Sequence, residues 1–227
     1  MAGEVGKRVA SAVCMVTIIV IMSVLGRHWM QLLITILMWM MLCEWVTMNT
    51  KSASSTGLTE PPRGTNSHPL LPLTGIAYIA IPMLYWLHVA GHHKSNFMHD
   101  VMWCVAVVSA CDVAAYFGGR LFGGPKLAPN ISKNKTWSGA ISGFAIGFAI
   151  SYVFASRFVY LKANVLLCSI LMPLAAILGD LLESKAKRLL DVKDSGSIIP
   201  GHGGVCDRLD SFLLTSYVVI LLRLFGY

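Results

Sequence analysis

The chain has 227 residues, of which 56% are apolar and only 13% charged. Soluble domains carry about 25% charged residues, so a domain built for water is excluded. The formal charge of +7 comes without a basic and aromatic patch, which excludes nucleic acid as a partner and assigns the basic residues to loops facing anionic lipid headgroups and cytosolic anions.

The apolar residues come in blocks of the length a bilayer requires, roughly 20 residues per helix. In chain order the spans are predicted at Val9–Leu25, Trp29–Met48, Leu70–Val89, Val101–Phe117, Ala140–Ser156, Ala163–Leu182 and Ser211–Phe225. Lys7 and Arg8 precede the first, which reads as an uncleaved span because no small-residue cleavage site follows. Gly26-Arg27-His28 joins the first two spans as a tight turn, giving a helical hairpin. The stretch from Asn49 to Pro69, rich in Ser, Thr, Gly and Pro, reads as a flexible connection without chemistry. The expected fold is all-α: one polytopic membrane domain over 1–227, with N-terminal spans in 1–100 and a catalytic half in 101–227.

Counting Lys and Arg on alternate sides of these spans gives thirteen on one side and five on the other. Cytoplasmic loops carry the excess, so the N-terminus is predicted in the cytoplasm. The cysteines at 14, 43, 104, 111, 168 and 206 show no CxxC spacing and are expected to pack as small buried apolar side chains. His88, His92, His93 and His99 surround a predicted external loop and are read as interfacial.

Two stretches on the predicted cytoplasmic side are Gly-rich and charge-dense: Asp112 to Gly143 and Gly179 to Ser211. In the second, Asp180, Glu183, Ser184 and Lys187 are spaced so that a continuing sixth helix places them on one stripe. Gly201-His202-Gly203-Gly204 and Asp207-Arg208-Leu209-Asp210 follow. Glycines let the backbone approach a phosphate and offer it N–H groups. Lys187, Arg188, Lys193 and Arg208 can neutralise phosphate oxygens, and Asp180, Asp207 and Asp210 can hold a hard cation. Together they describe a nucleoside triphosphate–metal site; a GHGG run alone would be only a turn. In the first stretch Asp112 lies within or near the end of a span, where an ionisable group is costly and points to function. Tyr116 follows one turn later, and Arg120, Lys126, Ser132, Lys133, Lys135 and Thr136 form a basic, hydroxyl-rich run.

From Ser184 to Asp210 the sequence resembles the phosphatidate cytidylyltransferase (CDP-diacylglycerol synthase) family almost position for position. The matching residues are Ser184, Lys187-Arg188, Lys193-Asp194, Pro200-Gly201-His202-Gly203-Gly204 and Asp207-Arg208-Leu209-Asp210. Asp112, Tyr116, Gly118, Lys126, Pro129 and the run from Ser132 to Gly139 follow the family's order as well. The departures are Ala186 for a larger aliphatic residue, Lys133 for Pro, Asn134 for Lys and Ser138 for Glu; the last puts any role of that Glu in doubt. The chain is short for the family, so N-terminal spans of the family are expected to be missing.

The resemblance implies CTP and phosphatidate as substrates, CDP-diacylglycerol and pyrophosphate as products, and Mg²⁺ held by Asp180 and Asp207, with room for a second cation. Asp210 is a further metal candidate. It implies Asp180, Lys187, Lys193, Asp207 and Arg208 as catalytic residues. Asp112, Ser132, Lys135 and Thr136 are expected across the cavity. Ser184, Arg188, Gly201, His202, Gly203 and Gly204 are expected to shape the triphosphate pocket. It also implies a bacterial inner-membrane location with the site facing the cytoplasm, contact with membrane lipids, and a homodimer. The alternatives are a CTP-dependent polyprenol or phytol kinase, and a transporter whose polar loops gate a pore.

Overall fold

In hydrocarbon every backbone N–H and C=O must be satisfied within its own segment, and the apolar runs accordingly fold as helices. The computed structural model describes residues 17–55, 71–92, 97–157, 165–192, 194–196, 198 and 203–225. In chain order the elements are α1 (17–25), α2 (Arg27–Ser55), α3 (Leu71–Ala90), α4 (Phe97–Phe122), β1 (Lys126–Ala128), β2 (Ser132–Thr136), α5 (Trp137–Arg157), α6 (Val165–Leu189) and α7 (Cys206–Leu224). Among the described residues, α2 to α6 are the five helices long and apolar enough to cross a membrane. The protein is an all-α membrane protein, and its described residues include a small β-hairpin that the hydropathy pattern did not announce.

The helices run past the predicted spans. α2 continues to Ser55, so the first part of the expected flexible connection is helix; 56–70 lie outside the described residues. α6 continues to Leu189, seven residues beyond the predicted end at Leu182, which puts Asp180, Glu183, Ser184 and Lys187 on one helix as expected. α7 begins at Cys206, not Ser211; its Asp207, Arg208, Asp210 and Arg223 keep it from being as apolar as the other five. Of the first predicted span, 17–25 are described and helical, and Gly26, at φ +106°, breaks the chain before α2.

The chain divides into two compact units. The first comprises Met1–Ser95 and Lys187–Arg208. In it α2 and α3 pair antiparallel: Arg27 donates to the Gly91 carbonyl, Gln31 to Leu87 and Trp45 Nε1 to Pro72. Gly75 makes the close approach possible, because a Cβ there would stand 1.9 Å from the Trp45 indole. Met41 and Trp86 are its largest fully buried side chains. α6 ends in this unit with Asp191 in the left-handed conformation (φ +54°). Val192 N–H bonds to Lys187 C=O and Asp191 N–H to Arg188 C=O, the paired bonds of a Schellman cap.

The second unit comprises Asn96–Ala186 and Leu209–Tyr227. Here α5 carries a stripe of small buried residues, Gly139, Gly143, Gly147, Ser151 and Ala155, at every fourth position. Apolar surface gives no net drive between helices in lipid, so association depends on close backbone contact across small residues. A Cβ at Gly143 would meet the Cys111 carbonyl at 2.9 Å, and one at Gly139 the Ala115 carbonyl at 2.8 Å. At the stripe's far end Trp103 Nε1 donates to Ser151 Oγ at 3.0 Å, which sets α4 and α5 antiparallel. Cys104, Cys111 and Cys168 are buried as expected, whereas Cys43 in the first unit is exposed on its helix; Cys14 lies outside the described residues. Leu121 and Val113 remain exposed, as side chains facing lipid must.

Candidate functional site

The second unit contains a cavity of about 720 Å³. Cys111, Asp112, Ala115, Tyr116, Gly119 and Arg120 line it from α4, and their four-residue recurrence is one helix face. Asn134, Lys135 and Thr136 enter from β2, Gly139 and Ala140 from α5, and Ala176, Ile177 and Asp180 from α6. The β-hairpin fixes the lysine. Gly123 (φ +61°) and Gly124 (φ +104°) turn the chain out of α4, and β1 and β2 pair antiparallel with Lys126 opposite Thr136 and Ala128 opposite Ser132. Thr136 then caps α5, its Oγ1 accepting from Gly139 N at 3.2 Å, a threonine's usual task at a helix start. Ser138, which stands where the resembling family has Glu, donates to the Gly123 carbonyl and lies 3.1 Å from Thr136 Oγ1. It ties the hairpin's two ends together and does not line the cavity.

Inside the cavity Lys135 Nζ lies 2.5 Å from Asp180 Oδ2, both side chains partly exposed. Ser184 donates weakly to Asp180 Oδ1 at 3.5 Å. Arg120 donates to Tyr116 Oη at 2.5 Å, one helical turn away. The cavity thus presents two cations, two carboxylates and a phenol beside an apolar floor. Of the sequence-predicted residues it gathers Asp112, Lys135, Thr136 and Asp180; Ser132 sits half-buried in β2 outside the lining. Asp210, also in this unit, does not line the cavity: its carboxylate accepts the Ser211 amide at 2.6 Å, while its carbonyl packs against Gly179.

The first unit holds the other polar cluster. Asp207 Oδ1 accepts Lys187 Nζ at 2.6 Å, and Oδ2 accepts the backbone N–H of Ser195 at 3.0 Å and of Gly204 at 2.9 Å. Burial would raise this carboxyl's pKa, but the Lys187 bond and charge with the two amides hold it below the ordinary value of 3.8. Gly203, at φ +84°, must be glycine on two counts, since a Cβ would also stand 2.8 Å from Asp207 Oδ2. Arg188 and Arg208 are exposed, and Arg188 reaches the Val192 carbonyl at 3.4 Å. Lys193, Gly201 and His202 lie outside the described residues.

Sequence reasoning passed over Glu44. It is 4% exposed, and its carboxylate accepts Val205 N and Cys206 N at 2.9 Å each and Ser195 Oγ at 3.2 Å. The signal was present: one acidic residue inside an otherwise apolar span, where such a residue is rare and functional by default.

Among the described residues no three or more His, Cys, Asp or Glu are gathered into a ready metal cage. Magnesium does not require one, because it keeps several waters and takes one or two carboxylates together with substrate phosphates. An ionised carboxylate has about four lone-pair sites. Asp180 uses two of them and Asp207 three. Both therefore fit as donors to a hard cation, Asp180 with more to spare.

Over residues 56–225 the chain matches the cytidylyltransferase family. Similar proteins bear the name phosphatidate cytidylyltransferase. The one from Brucella suis biovar 1 (strain 1330) is 41% identical over 156 residues, which cover 68% of this chain and 56% of that protein. The one from Rickettsia bellii (strain RML369-C) is 36% identical over 172 residues, 70% of this chain and 71% of that protein. The one from Staphylococcus haemolyticus (strain JCSC1435) is 40% identical over 144 residues, 62% and 54%. The chain thus spans about half the length of the Brucella and Staphylococcus relatives it matches.

Proposed function

The chain belongs to the cytidylyltransferase family, and from that premise we propose that it transfers the cytidylyl group of CTP to phosphatidate, giving CDP-diacylglycerol and pyrophosphate. The observation that carries the reading is the cavity of the second unit, where Arg120 and Lys135 stand beside Asp112 and Asp180 between apolar helices. A lipid phosphate needs such a place: cations for the headgroup and a wall that acyl chains can follow.

Phosphatidate's phosphate is a monoester, with a second pKa of about 6, and is largely dianionic near neutral pH. One of its oxygens attacks the α-phosphorus of CTP, the bond from that phosphorus to the bridging oxygen breaks, and pyrophosphate leaves. No general base is needed. The obstacle is the approach of two polyanions, so positioning and charge neutralisation are the tasks left to the protein. Lys135 and Arg120 serve the phosphates from the cavity; Lys187, Arg188, Lys193 and Arg208 serve them from the other polar stretch, with Gly201, His202 and Gly203 offering backbone and ring N–H groups, while Gly204, its N–H bonded to Asp207, shapes the turn. Asp180 and Asp207 are the proposed donors to Mg²⁺, which when bound supplies charge neutralisation to phosphate oxygens. Asp210, its carboxylate turned to the Ser211 amide, is the weaker donor.

The same reading proposes seven spans, a cytoplasmic N-terminus, a bacterial inner-membrane location with the site facing the cytoplasm, and a homodimer. The test is turnover of phosphatidate in detergent with CTP labelled at the α- or the γ-phosphate, with and without Mg²⁺. The α label should enter lipid, only with Mg²⁺. Entry of the γ label would make the protein a lipid kinase instead, and solute flux without nucleotide consumption would make it a transporter.

A further inference from the structure

Glu44 belongs to neither polar stretch from which the activity is read, yet it sits behind one of them. It is buried in α2, a helix long and apolar enough to span a membrane. An ionised carboxylate there is costly unless donors surround it. Three do: the Val205 and Cys206 amides and the Ser195 hydroxyl. The amides belong to the start of α7, where backbone N–H groups have no partner within the helix.

The neighbouring donors go to Asp207. Gly204 N–H and Ser195 N–H bond to Asp207 Oδ2, so Ser195 bridges the two carboxylates, backbone to one and hydroxyl to the other. The glycines are cut to this arrangement. A Cβ at Gly204 would stand 2.6 Å from Glu44 Oε2 and 2.0 Å from Ser195 Oγ, and one at Gly196 2.8 Å from Glu44 Oε1. Both oxygens of Glu44 accept a backbone N–H, so an amide in its place would turn a donor toward a donor.

We propose that Glu44 is a positioning residue for the transfer reaction: its carboxylate clamps the turn 204–206 and Ser195, and thereby fixes the frame from which Asp207 projects. This rests on the proposed function, and the test separates the two. Purified full-length wild type, Glu44→Gln and Ser195→Ala are compared in detergent. The readouts are kcat, KM for phosphatidate, the Mg²⁺ concentration for half-maximal turnover, and the rate at which maleimide labels Cys206, followed by peptide mass spectrometry. Outer-shell substitutions of this kind lower activity by about 10–100-fold, and that fall in kcat is expected for Glu44→Gln. It should come with a raised Mg²⁺ requirement and a phosphatidate KM close to wild type.

A residue that merely stabilised the fold would lower the yield of folded protein and leave kcat per folded molecule and the Mg²⁺ requirement unchanged; that result overturns the inference. If Glu44→Gln does not fold, Ser195→Ala decides: it removes one link and leaves both amides clamped. A several-fold fall in kcat with a raised Mg²⁺ requirement supports the inference, and wild-type values overturn it. If the wild type itself turns over no CTP, the functional reading fails, and the clamp is judged on Cys206, which is buried. Faster labelling in Glu44→Gln than in wild type sustains the clamp; equal rates refute it.

Discussion

Asp180 and Asp207 are alike in the sequence and unlike in the structure. Asp180 projects from the middle of a helix face into a cavity, meeting one lysine and a distant serine hydroxyl. Asp207 sits in the first turn of α7 with a lysine and two backbone amides on its two oxygens. The first carboxylate is held by groups that can be exchanged for substrate or solvent. The second is built into the loop that it stabilises. Two residues of one type in one polar stretch are thus held differently: one can be exchanged at little structural cost, and the other cannot be removed without disturbing the backbone around it.

The largest effect that would sharpen this contrast is expected from Asp207→Asn. Losing the charge weakens the Lys187 bond and both amide bonds, so turnover should fall by about 10²–10³-fold and the thermal midpoint should fall with it. Unchanged stability in a melt followed by intrinsic fluorescence would break the comparison. Next is Lys135→Met, which removes the cation facing Asp180 while keeping the stem's volume. It should raise the KM for phosphatidate by about tenfold, the effect of roughly 1.4 kcal/mol of lost binding, with little change in melting. Gly143→Ala probes the second unit's packing: a methyl 2.9 Å from the Cys111 carbonyl should cost about 1–3 kcal/mol and lower the thermal midpoint without changing KM.

The smallest effect is the dependence on acid. Asp207's carboxyl pKa is lowered by folding, so its contribution to stability is complete above the unfolded value of 3.8 and drains away as pH falls through the lowered folded value. Stability measured from pH 7 toward 3 should lose this component only at the acid end, and Asp207→Asn should lack it.

Helices were the most legible part of the chain, because apolar runs of membrane length leave the backbone no other way to satisfy itself. Their ends were less so. α6 runs through Asp180 and Lys187 to a Schellman cap at Asp191, a stop written in backbone geometry that hydropathy cannot see. The hairpin carrying Lys135 was missed because a few residues of strand, SKNKT, have no apolar alternation to betray them. Asp112, Lys135 and Asp180 could be named because charge in an apolar chain is conspicuous, and Thr136 because it continues a basic, hydroxyl-rich run. Glu44 was conspicuous by the same argument, but its partners are Ser195 and the turn before α7, more than 150 residues away in sequence, and no local pattern joins them.

The most direct test of the account is Asp180→Asn beside the wild type in one detergent preparation, assayed for CTP-dependent conversion of phosphatidate and for thermal midpoint. The account predicts turnover lower by about 10²–10³-fold at a midpoint within about 2 °C of wild type. Turnover within a few-fold of wild type would contradict it.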